Sequence, residues 1–299
     1  MSSALQRIHG IPDTIGRYRV LGQLAVGGMA ELFIGRLEGL GGFERPVAIK
    51  RILPELATHE SFVNMFLDEA RLAARIRHPN VVHVEDIGRE DGQLFIVMEY
   101  LEGETLGGLI RRLLWRKEKL PYPLVAHIAA EVCSGLSAAH ELTDSSGANL
   151  QVVHRDVSPE NIFITYDGSV KILDFGVAKA RNRLVRTDAG QVKGKYAYMA
   201  PEQFRGERIN PRTDLFALGV VLYELSLTKK LFKPTTDPRL AARVVCVDPI
   251  TPPSKFAKDF PPALEAVCMR ALERDPGQRF DSARDMLCHL TLAQGELAR

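Results

Sequence analysis

An arginine, a carboxylate and an amide stand at fixed offsets in HRDVSPEN (His154 to Asn161), a polar segment between short strand-like runs that can hold it rigidly. These residue types can handle a proton and a charged ligand, but one such segment is only suggestive. Three further blocks keep a fixed order around it. VAIK (Val47 to Lys50) lies upstream, DFG (Asp174 to Gly176) lies downstream, and APE (Ala200 to Glu202) closes the next polar stretch. Six fixed letters, at about one in twenty each, recur by chance on the order of once in 10⁷ to 10⁸ start sites, so the blocks are read as one constellation.

The elements that must position these groups divide in two. From Tyr18 the chain alternates as a strand, YRVLGQL. Gly27 and Gly28 break the run, ELFIGRL resumes it, and Pro46 to Leu53 follow after the turn at Gly39 to Gly42. The apolar spacing of Phe62, Phe66, Ala70, Ala73 and Ile76 predicts an amphipathic helix over Glu60 to Arg77, ended at His78-Pro79. Two more strands, VVHVEDIG and QLFIVMEY, flank the Asp91-Gly92 turn. Past Gly103 the patterning turns helical over 104–141, 213–229, 262–274 and 281–292, with short strand-like pieces around 151–153, 162–165 and 170–173. The expected class is therefore α+β: a flexible extension over 1–17, a small antiparallel β-rich lobe with one helix over 18–97, a joint over 98–103, a larger mainly helical lobe over 104–292, and a tail over 293–299. Without a Gly/Ser linker, the lobes are expected to share an interface and a cleft.

Composition narrows the classes further. The 299 residues are 45% hydrophobic and 25% charged, which excludes collagen-like and disordered chains. Lys and Arg number 39 against 37 Asp and Glu, so no general field favours nucleic acid or an anionic membrane, and any such binding must be local. The apolar stretch around Phe216 to Leu227 is too short to span a bilayer, and no apolar leader follows Met1; the expected location is the cytoplasm. Cys133, Cys246, Cys268 and Cys288 show neither disulfide nor zinc spacing.

In the order and content of these motifs, the chain resembles the eukaryotic-like protein kinases from Tyr18 to about Leu292. The GGMAE turn, EYLEGETL and YMAPEQ are closest in style to the bacterial serine/threonine kinases. The resemblance implies a bilobal kinase fold using ATP with Mg²⁺, or alternatively Mn²⁺, on protein substrates and on itself, with no nucleic acid and no membrane segment. Phosphoryl transfer is mostly positioning and charge compensation around a highly anionic triphosphate. By resemblance Lys50 neutralises phosphate oxygens and is held by Glu69. Asp156 orients the attacking hydroxyl and accepts its proton, while Asp174 and Asn161 offer hard oxygens to the metal. The loop Ala25, Val26, Gly27 and Gly28 covers the phosphates. Leu32, Ala48 and Phe163 sandwich adenine, Met98 guards the back of its pocket, and the backbone at Glu99 and Leu101 bonds to it. Asp214 anchors the catalytic loop, and Arg279 pairs with Glu202.

The chain departs from the family pattern in two places. Ala25 and Ala30 replace the first and third glycines of the phosphate loop, which weakens ATP binding because a Cβ stands where backbone amides approach phosphate. Ser158 stands where such kinases carry a lysine, and Lys195 where they carry a threonine. An ammonium and a hydroxyl have traded places, so Lys195 is expected to reach back toward Asp156 and the γ-phosphate while Ser158 takes the hydroxyl role. Arg155 beside Asp156 marks a kinase whose loop is ordered by phosphate, and Thr187 is the favoured autophosphorylation site, with the basic run Lys179 to Arg186 beside it. A weakly active or non-catalytic nucleotide-gated module is the alternative, and a small-molecule phosphotransferase a third reading that the APE block disfavours. If the exchange is functional, Lys195→Thr alone abolishes phosphate transfer in a labelled-ATP assay; near-normal turnover refutes it.

Overall fold

The computed structural model describes residues 11–175 and 196–297. The chain forms two compact units: residues up to Arg75 with Val82–Glu102, and Ile76–Val81 with Gly103 onward. In the first, a six-stranded antiparallel sheet runs in the order β1-β2-β3-β4-β6-β5, with β1 Thr14–Ile15, β2 Tyr18–Val26, β3 Ala30–Glu38, β4 Glu44–Ile52, β5 Val84–Glu90 and β6 Gln93–Glu99. One face buries Ile15, Tyr18, Phe33, Val47, Ile49, Phe95 and Val97 in a single cluster. Order therefore begins before Tyr18: Ile15 belongs to this cluster, and β1 pairs with β2, so the flexible extension expected over 1–17 does not reach Thr14–Ile15.

Two helices, not one, follow β4: a single turn, α1 (Pro54–Ala57), with proline at its start, then α2 (Glu60–Ala73). The helix expected to run to Arg77 stops at Ala73. There the ladder tightens, Arg75 N donating to Leu72 O at 3.1 Å, and the backbone turns ahead of Pro79.

The second unit opens on a three-stranded antiparallel sheet of β7 (Gly103–Thr105), β8 (Ile162–Thr165) and β9 (Val170–Ile172). At Gly103 an added Cβ would lie 2.1 Å from Ile164 O, so only glycine lets β7 approach β8. The helical stretch expected over 104–141 is two helices, α3 (Leu106–Arg116) and α4 (Tyr122–His140), separated where Lys117 turns left-handed at φ 57° and Pro121 follows. No strand forms over 151–153; Val152 and Val153 are buried individually. Instead, Val81 bridges Ile172 in parallel.

The remaining helices are α5 (Pro201–Arg205), α6 (Arg212–Leu227), α7 (Pro238–Cys246), α8 (Pro262–Ala271) and α9 (Ala283–Leu297). From Thr213 to Leu227 every residue of α6 is buried, as its nearly unbroken apolar sequence requires. Helix α4 packs against α9 and α6, and α8 against α6. Among the described residues, no helix is long and apolar enough to cross a membrane.

Among the described residues the largest fully buried side chain is Arg279, and all five of its N–H donors are used. Nη1 and Nη2 grip the two oxygens of Glu202 at 2.8 Å each, Nη1 also reaches Arg212 O, Nη2 reaches Arg274 O, and Nε donates to Glu273 O. Burial pushes the Glu202 carboxyl up, but the bond and charge of Arg279 outweigh it and hold the group below its ordinary range. That contribution is complete above the unfolded value near pH 4.3 and is lost as pH falls through the lower folded value. Arg279→Met should therefore cost about 3–5 kcal/mol in urea unfolding at pH 7, because it strands a buried charge. The gap from wild type should narrow on acidification as Glu202 becomes neutral; a loss under about 1 kcal/mol contradicts the assignment.

Candidate active site

The register of the first sheet sorts its chemistry by face. Leu32 pairs with Lys50, Ile34 and Met98 both pair with Ala48, and Ile96 pairs with Lys50, so all these side chains share the face opposite the cluster of Phe33, Val47 and Ile49. Ala25 joins them through its pairing with Leu32. Helix α2 buries Met65, Phe66, Ala70 and Ala73. From it, Glu69 meets Lys50 at 2.9 Å, with the side chains 12% and 18% exposed. The ammonium is thus held in place and kept partly accessible.

Between β2 and β3, Gly27 N donates to Ala30 O at 2.8 Å, closing a tight turn, and a Cβ at Gly27 would crowd the same oxygen at 3.3 Å. Val26, at the tip, is 61% exposed. At the far end of the unit, Glu99 N donates to His83 O and the Glu99 carboxylate accepts from His83 N. Leu101 follows, partly buried, before Gly103.

The second unit builds its catalytic loop around Asp214, which is 1% exposed on α6. Its carboxylate accepts from His154 N, Arg155 N and His140 Nε2, each at 2.8 Å. Burial opposes its charge, but the His140 bond, electrostatic attraction from the His140 and His154 rings, and the Arg155 amide outweigh it and hold the group below the usual carboxylate range. Two consecutive amides aimed at one carboxylate force a sharp bend, and Arg155 takes φ 67°, a conformation that a side-chain-bearing residue rarely adopts. Arg155 Nε is buried with no hydrogen-bond partner among the described residues.

Beyond the bend, His154 Nδ1 accepts from Asp156 N while its Nε2 donates to Leu173 O, which fixes the tautomer. The ring also lies 4.7 Å from that of Phe175. Asn161 Nδ2 donates both to Asp156 O at 2.7 Å and to Asp156 Oδ2 at 3.0 Å, and Asn161 O accepts from Leu173 N at 2.8 Å. Asp156 and Asn161 are therefore brought together, and Asp174 follows directly at φ 37°. Ser158 is extended, its carbonyl accepting from Asn161 N. Phe163 sits on β8 opposite Thr105 and Lys171.

Sequence reading missed several positioning residues. His140 ends a buried helix without a motif of its own. Gln203 Oε1 accepts from Ala200 N while Nε2 donates to Arg155 O at 3.4 Å, tying the APE block to the bend. Glu224, buried on α6, accepts from Tyr198 and Lys230 at 2.7 and 2.8 Å; its only sequence signal was a charge inside an apolar helix. Lys195, Thr187 and the run Lys179 to Arg186 lie outside the described residues.

Comparison with known proteins agrees with this geometry. The protein kinase domain family matches residues 19–291. The chain is 45% identical over 268 residues to the tyrosine-protein kinase MasK of Myxococcus xanthus, covering 90% of this chain and 41% of that protein. It is 34% identical over 274 residues to the serine/threonine-protein kinase PrkC of Bacillus subtilis, covering 91% and 39%. It thus spans about two fifths of the length of these relatives. Among solved structures, the Mycobacterium tuberculosis PknI kinase domain is similar at 26% identity and a TM-score of 0.69, over 94% of this chain and 97% of that one. With the catalytic-loop, DFG, APE and VAIK blocks in order on this fold, the chain belongs to the protein kinase domain family.

Proposed function

We propose that the chain is the catalytic domain of a serine/threonine protein kinase, transferring the γ-phosphate of Mg-ATP to protein hydroxyls and to its own Thr187. The observation that carries this reading is the double bond from Asn161 Nδ2 to the carbonyl and carboxylate of Asp156. It fixes a carboxylate that a mere nucleotide-binding module does not need. The carboxylate held in this way is the group that receives the acceptor's proton. Asn161 and Asp174 would offer a cation oxygen donors, which suit a hard ion such as Mg²⁺. When bound, that cation neutralises charge on the phosphates.

Lys50, oriented by Glu69, takes the remaining phosphate charge. Leu32, Ala48 and Met98 share its face of the sheet and suit the adenine ring. Because Glu99 N is engaged by His83, adenine meets Glu99 through its carbonyl and Leu101 through its backbone. With Ala25 and Ala30 in place of glycines and Gly27 N engaged by Ala30 O, Gly28 brings its amide toward phosphate. The reaction places the domain in the cytoplasm, where ATP is available.

SPEN follows the KPEN pattern of serine/threonine kinases, and PrkC is named as one. MasK, the 45% identical relative, is named a tyrosine kinase, so acceptor identity is read directly in the test. Incubation with labelled ATP, followed by phosphoamino-acid analysis, should give phosphoserine and phosphothreonine. Asp156→Asn should lower transfer by about 10²–10⁴-fold while nucleotide binding is kept. Unchanged transfer in this variant rejects a kinase, and phosphotyrosine as the sole product rejects the serine/threonine assignment.

A further inference from the structure

The near-neutral charge of the chain conceals a concentrated basic surface on the second unit. Residues 111–119, RRLLWRKEK, hold five cations and one acid, a local +4 against +2 for the whole chain, so the rest is net −2. Helix α3 buries Leu106, Gly107, Ile110 and Leu113 on its inner stripe. Everything from Leu114 to Lys119 is exposed. Trp115, the only tryptophan of the chain, is 82% exposed, with Leu114 beside it at 51%.

Arg111 and Arg112 are paired with Glu160 and Glu104. Arg116, Lys117 and Lys119 have no ion pair among the described residues. Complementing the C-terminal dipole of α3 accounts for Arg116 and Lys117. It does not account for Lys119 beyond the helix, nor for an indole and a leucine left in water. Lys117 also occupies the left-handed cap position, which glycine fills at lower conformational cost. A cation is kept there at the expense of backbone ease.

We propose that the outer end of α3 and its following turn adsorb to an anionic lipid bilayer. Indole prefers the headgroup level of a membrane, Leu114 adds apolar depth, and long basic side chains reach phosphate and carboxylate headgroups while their stems stay in the interface. An acidic peptide is the less suitable occupant. An aromatic anchor for a peptide works inside a desolvated pocket, whereas Trp115 is open on nearly all sides and Glu118 is the only acceptor side chain from 114 to 119.

Because Trp115 is the sole indole, tryptophan emission excited selectively reads this position alone. Titration with phosphatidylcholine vesicles containing about one-third phosphatidylserine should shift the emission to the blue, and pure phosphatidylcholine should not. Each cation is worth about fivefold, so Lys117→Ala/Lys119→Ala should weaken the vesicle titration about thirtyfold, and added salt should weaken it further. Trp115→Ala should keep the wild-type unfolding midpoint and lose co-sedimentation with the anionic vesicles. No blue shift, an equal shift with neutral vesicles, undiminished co-sedimentation of Trp115→Ala, or a shift produced by soluble polyglutamate and not by vesicles overturns the proposal.

Discussion

A single buried carboxylate, Asp214, organises the catalytic loop. It stands on a helix that is buried on every side, so its charge survives only because three donors surround it. Two of these are backbone amides of the loop itself. A side-chain substitution in the loop cannot remove those donors, so the bend at Arg155 depends on the helix and not on its own sequence. From the bend, direction is passed along covalently and by short bonds: His154 to Leu173, Asp156 to Asn161, Asn161 back to Leu173. The strained backbone at Arg155 and Asp174 is tolerated because both neighbourhoods are fixed by partners outside the segment.

The Arg279–Glu202 pair performs a comparable task for the APE block by another route. Asp214 uses neutral amides and an imidazole, whereas Glu202 meets a guanidinium whose five donors are all engaged. A lysine could not substitute, since a point charge cannot grip both carboxylate oxygens and three backbone carbonyls at once. Ring contact with Phe216, at 4.9 Å, adds an apolar side to the same guanidinium. The block that opens α5 is therefore tied to the helical core by planar geometry as well as by charge.

Much of this was legible in the residues. Lys50 and Glu69 announce themselves through the VAIK strand and an amphipathic helix, and Asp156, Asn161 and Asp174 through their spacing. Less legible were features set by tertiary partners. Helix α7 carries Arg239 and Arg243 among small residues, and its burial rests on Ala241 and Val245 alone, too thin a stripe to read beforehand. Strand β1 is two residues long and exists only because Ile15 fits the sheet cluster. The early end of α2 reflects a backbone turn ahead of Pro79 that apolar periodicity continued through at Ile76. His140 was unreadable because nothing local distinguishes a histidine that caps a buried carboxylate from one that merely fills space.

The alternation of faces in the first sheet couples folding fidelity to chemistry. Side chains on β4 alternate between the apolar cluster and the face bearing Leu32, Ala48 and Met98. If β4 slipped by one residue against β3, the Lys50 ammonium would be driven into the space of Phe33 and Val97, and Ile49 would be turned outward in its place. Such a sheet would lose its core and its ammonium together. A misregistered chain therefore cannot persist as a stable but inert competitor, because the same period of two that makes the site also makes its errors unstable.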